Sequence, residues 1–117
     1  MQVKYSGKYL HIGDKSYKFN FDIGDVLIDE DYVFVRLSLP IKPEYKYYAR
    51  NIYGFKNGEL IWQMQNVHEV YPLWGPMPSE RIMMHDENTL VSVDFSGGRL
   101  LIDKYTGKIT GSLPGTK

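Results

Sequence analysis

The chain of 117 residues holds three histidines, His11, His68 and His85. None stands four residues from another or in any spacing that a zinc site uses. His68-Glu69 and His85-Asp86 sit at loop edges, where a solvated or locally bonded ring is the simplest reading. There is no cysteine. That excludes a thiolate nucleophile, a thiolate metal site and a disulfide framework. Ser96-Gly97-Gly98-Arg99 has the glycines of a phosphate loop, but no helix follows to supply amide donors. It also lacks the strand-to-helix setting of a nucleophile elbow. Asp94 and Asp103 remain as a carboxylate pair, and turn and strand-edge roles suit them better. The expectation is a chain without catalytic residues, metal or cofactor.

Acid and aromatic groups carry more information. Formal net charge is zero, yet residues 21–31 hold Asp22, Asp25, Asp29, Glu30 and Asp31 with no base. The spacing of a calcium-binding helix–loop–helix is absent. A solvated turn at Asp29-Glu30-Asp31 is expected, able to attract a basic partner at long range. Tyr45, Tyr47, Tyr48, Tyr71 and Trp74 fall in segments that read as connections. Tyr and Trp dominate interface energies when exposed there, although the same rings could fold back and cap an open barrel end. Asp29, Glu30, Asp31, Tyr45, Tyr47, Tyr71 and Trp74 are therefore the candidate partner-binding residues. The same aromatics, interleaved with Lys42, Lys46 and Arg50, also suit a small ligand or stacked single-stranded nucleic acid. Net neutrality weighs against nucleic acid.

The elements that must position these groups are strands. Ten tyrosines in 117 residues suit half-buried pleated surfaces. Tyr9–Ile12 and Lys15–Phe19 flank Gly13-Asp14, which suits a two-residue turn with its first φ positive. Tyr17, Phe19 and Phe21 alternate with polar residues as far as Asp22. In Tyr32 to Leu39, Val33, Val35, Leu37 and Leu39 share one face, and Pro40 ends the strand. Asn57-Gly58 between Asn51–Lys56 and Glu59–Met64 is a strong hairpin signal. Residues 65–80 read as irregular, with three prolines between Tyr71 and Pro78. Thr89–Phe95, Arg99–Asp103 and Lys108–Thr110 complete a set of about eight or nine short strands. The fold expected is all-β: one domain over 1–117, an antiparallel sandwich, partly open barrel or blade-like meander. An unpaired edge could form a homodimer. No stretch is long and apolar enough to span a membrane, and no signal-peptide core opens the chain, so a cytoplasmic location is expected.

Ile52-Tyr53-Gly54-Phe55-Lys56-Asn57-Gly58-Glu59-Leu60-Ile61 repeats weakly as Leu101-Ile102-Asp103-Lys104-Tyr105-Thr106-Gly107-Lys108-Ile109-Thr110. With Trp62 added, the first segment resembles the strand–turn–aliphatic–Trp element of quinoprotein-type β-propeller repeats. In the second, Gly111 stands where the Trp would be. The resemblance covers about a fifth of the chain and implies blade-like hairpins without a cofactor. In size and style the chain is also similar to small bacterial immunity proteins of polymorphic or contact-dependent toxin systems. That likeness implies a protein-binding module that neutralises a cognate toxin domain.

Overall fold

The computed structural model describes residues 2–40, 42, 44, 50–73, 78–94 and 97–113. Within them lie β1 (Val3–Ser6), β2 (Tyr9–Ile12), β3 (Lys15–Lys18), β4 (Asp22–Asp29), β5 (Tyr32–Ser38), β6 (Ile52–Lys56) and β7 (Glu59–Gln63). A helical turn α1 (Val67–Val70) follows, then β8 (Ser79–Asp86), β9 (Thr89–Asp94), β10 (Arg99–Asp103) and β11 (Ile109–Leu113). All pairings are antiparallel between consecutive strands. They give three meanders, β1 to β3, β4 to β7 and β8 to β11, and no closed barrel among the described residues.

The second sheet is the middle layer, and β5 is its central strand. Two-residue periodicity sends Val33, Val35 and Leu37 to one side and Tyr32 and Phe34 to the other. The first set joins Leu10, Ile12 and Phe55 in a cluster beneath the first sheet. The second joins Trp62, Met64, Ile82, Leu90 and Ile102 in a cluster beneath the third. A strand buried on both faces contributes about 1.5–3 kcal/mol per large apolar side chain, which makes β5 the spine of the fold.

The expected turns are present. Gly13 has φ +62°, and Asn57 and Gly58 have φ +51° and +80°, the pair of positive values that Asn-Gly supplies cheaply. The two repeated hairpins occupy matching places: β6–β7 closes the second sheet and β10–β11 closes the third.

Three readings change. The alternating run from Tyr17 to Asp22 is two strands, because the chain crosses from the first sheet to the second there. The Phe19 amide donates to the Lys8 carbonyl at 2.9 Å and the Ile23 amide to that of Gly7 at 2.8 Å. β1 was not expected: Val3-Lys4-Tyr5-Ser6 is a four-residue run whose side chains are exposed apart from a half-buried Val3. The irregular stretch 65–80 contains α1, whose first turn is capped by the Asn66 side chain accepting from the His68 amide at 3.0 Å.

At the far end of β5 a buried polar node ties the layers together. Asn51 is fully buried. Its amide donates to the carbonyls of Leu37 at 2.7 Å and Ser79 at 3.0 Å, and its Oδ1 accepts the Ser79 amide at 3.0 Å. Arg36 adds Nε to Asp25 at 2.8 Å and Nη1 to the Ser79 carbonyl at 3.2 Å. Gly24, in the β4 bulge, leaves room for that guanidinium: a Cβ there would lie 2.2 Å from Nη2. Asn51→Leu keeps the branched shape but strands the Ser79 amide and leaves the Ser79 carbonyl with Arg36 alone. Urea denaturation is expected to show a loss of about 2 kcal/mol.

Candidate functional site

At the opposite end of the layers, three turns converge. Glu30-Asp31 joins β4 to β5, Glu87-Asn88 joins β8 to β9, and Lys104 to Lys108 joins β10 to β11. Lys104 is the hub, with only 6% of its surface exposed. Its Nζ lies 2.7 Å from Asp29 Oδ2 and donates to the Glu87 carbonyl at 3.3 Å. It also stands 4.5 Å above the Tyr32 ring and 5.5 Å from that of Tyr105. Its backbone takes part as well: the amide donates to the Asn88 carbonyl at 3.0 Å, and the carbonyl accepts Trp62 Nε1 at 2.9 Å. The hydrogen bond to Asp29 raises the Lys104 pKa above the usual 10.5 against the opposing pull of burial. A buried ammonium with this many partners is a structural clasp between the second and third sheets.

The clasp turns carboxylates outward. Glu30 and Glu87 are exposed, and Asp31 is half-buried with its carbonyl accepting the Asn57 amide. Asp86 is exposed. Its carboxylate accepts the Asn88 amide at 2.8 Å, which holds its pKa below the ordinary value of 3.8. Asp103 is spent locally on the amides of Tyr105 and Thr106, at 2.7 and 3.1 Å. Tyr105 is 48% exposed, and its hydroxyl donates to Asn88 Oδ1 at 2.7 Å. Lys56 and Lys108 flank the end, both exposed, and Lys56 Nζ sits 5.4 Å over the Tyr32 ring. Carboxylates still outnumber cations there, and a half-exposed tyrosine fixed by its hydroxyl stands among them. Glu30 has φ +55°, a left-handed conformation that costs a non-glycine residue on the order of 1–3 kcal/mol. Glycine would adopt it more cheaply, so the glutamate is not there for the turn.

The candidates read from sequence therefore separate. Glu30 and Asp31 lie on the acidic end. Asp29 lies there too, but its carboxylate is engaged by Lys104. Tyr71 is half-buried against the core between the second and third sheets, and its amide closes α1 on the Val67 carbonyl. Tyr45, Tyr47, Tyr48 and Trp74 lie outside the described residues. Residues flanking those two loops, Asn51 and Ser79, meet at the Arg36 node, about 20 Å from the acidic end along β5. The structure adds Asp86, Glu87 and Tyr105. A signal for the first two was present, since Asp86-Glu87-Asn88 shares its Asp-Glu pair with Asp29-Glu30-Asp31 and has Asn in place of the third acid. No group of three or more His, Asp or Glu among the described residues is placed to hold a metal ion. No helix among them is long and apolar enough to cross a membrane.

Compared with known families, residues 1–112 match the model of the domain of unknown function DUF7957. The chain belongs to the DUF7957 family. No curated protein matches it. The three-layer meander and the acidic turns held by Lys104 are thus features of a DUF7957 member.

Proposed function

We propose that this DUF7957 chain is a non-catalytic protein-binding module, most concretely an immunity protein that occupies a basic toxin domain. One observation carries the reading: two acidic turns from different sheets, Asp29-Glu30-Asp31 and Asp86-Glu87-Asn88, are held side by side by one buried lysine, with exposed Tyr105 between them. A fixed acidic surface speeds capture of a basic protein. A tyrosine held by its hydroxyl supplies contact area at low entropy cost. The strained Glu30 backbone supports the same reading, because strain in a turn persists where the side chain has a use.

Asp29 is a poor probe of binding, since changing it also opens the clasp. Glu30, Asp31 and Glu87 are the better set. The triple charge reversal E30K/D31K/E87K is expected to leave the fold intact by circular dichroism. Glu30→Gly alone is expected to raise stability slightly while removing one charge. The direct test is capture of a partner from the source organism by the tagged chain, expressed together with its upstream neighbouring gene, followed by mass spectrometry. A stoichiometric basic protein that is toxic when expressed alone is the expected result. Capture of no protein, or of one equally harmless with and without this chain, would defeat the proposal.

A further inference from the structure

The two outward faces of the three-layer stack differ in chemistry. Cross-strand register places Lys4, Ser6, Tyr9, His11, Ser16 and Lys18 on the outer face of the first sheet, and all six are exposed. That is the ordinary polar surface of an antiparallel sheet with one solvated side. The outer face of the third sheet departs from it. One row runs Arg81, Val93, Arg99 and Leu113, and the next runs Met83, Val91, Leu101 and Gly111. On β9 the usual alternation is inverted in part: Ser92 lies on the inner side, while Val91, itself buried, and half-buried Val93 lie on the outer side. Of these, Arg81, Met83, Val91, Val93, Arg99 and Leu113 line a groove of about 390 Å³ with His85 towards one end, within the size range of small-molecule sites.

Charge narrows what can lie there. The exposed Arg81 guanidinium has no carboxylate partner among the described residues. Arg99 stands two strands away in the same row, about 10 Å across the sheet. A second copy docking by the same face would bring a second Arg81 to the same groove, and docking by the first sheet would bring lysines to Arg81. Like charges oppose both arrangements. The occupant that fits has one anionic head and an apolar body.

We propose that this groove binds a straight-chain fatty carboxylate. The carboxylate accepts from Arg81 in the geometry that guanidinium favours. The chain then lies over Val93 and Val91 beside Met83, along the five residues from Arg81 to His85, about 13 Å of strand. The site is independent of the protein-binding reading and would stand if that reading fell.

The test is a titration of the ¹⁵N-labelled chain with octanoate, decanoate and dodecanoate below their micellar concentrations, followed by amide shifts. Saturating shifts confined to the third sheet, β8 to β11, are expected, with affinity rising roughly two- to fourfold per methylene. Arg81→Glu should weaken dodecanoate at least tenfold. Val93→Glu, which puts a charge on the groove floor, should abolish the shifts. Dodecyl maltoside, with the same chain and a neutral head, should bind at least tenfold more weakly than dodecanoate. Equal binding of the two, shifts located elsewhere, absence of saturation, or a groove filled instead by a second copy or an acidic protein would each overturn the proposal.

Discussion

Trp62→Ala is expected to remove about 4 kcal/mol of stability. Trp62 is buried, and its ring stacks on Phe34 with centroids 5.8 Å apart. The indole lies between two backbones that have no side chain. A Cβ on Gly54 would come within 2.3 Å of it and one on Gly107 within 2.6 Å. Gly54 pairs with Trp62 across β6 and β7, whereas Gly107 belongs to the β10–β11 connection, so the ring joins two sheets. Truncation leaves a cavity that two rigid backbones cannot close, and it strips the Lys104 carbonyl of its indole donor. Gly107→Ala would be costly for a second reason, since φ is +75° there. Urea unfolding monitored by circular dichroism measures both. A loss below about 1 kcal/mol for Trp62→Ala would show that the ring does not couple the sheets.

Lys104→Met should cost about 2–3 kcal/mol, at the low end for a broken buried pair because the Asp29 side chain keeps 28% of its exposure. The methionine retains the packing against Tyr32 and Tyr105 but leaves the Asp29 carboxylate without its cation. The pH dependence has a defined sign. A lysine whose folded pKa lies above 10.5 contributes fully below that value, and the contribution is lost as pH rises through the folded pKa. The stability gap between wild type and Lys104→Met should therefore be constant through neutral pH and narrow in strongly alkaline solution. A gap that stays open as the lysine deprotonates would assign the effect to packing instead of charge.

The fold was largely legible in the sequence because its signals are local. Asn57-Gly58 and Gly13-Asp14 fix turns by backbone sterics alone, and the alternation from Tyr32 to Leu39 states which side chains face which core. The break between β3 and β4 was not legible, since Tyr17 to Asp22 keeps period two while the backbone changes sheets at Asn20-Phe21. The site was legible in part. Charge clustering along the chain marks Glu30 and Asp31. Pairing of that turn with Glu87, 57 positions after Glu30, depends on Lys104, whose burial no linear pattern displays. A lysine between Asp103 and Tyr105 reads as a solvated turn residue, as most lysines in turns are. Tyr71 shows the converse: an aromatic in a connection that is used by the core.

If the acidic end recruits a basic partner, the effect lies in the association kinetics. The captured partner would be mixed by stopped flow with wild type and with E30K/D31K/E87K at low and at physiological ionic strength. An association rate roughly tenfold or more lower is expected for the triple variant at low salt, with most of the salt dependence gone and the dissociation rate little changed. Equal association rates and equal salt dependence for the two proteins would contradict it and place the binding surface elsewhere on the molecule.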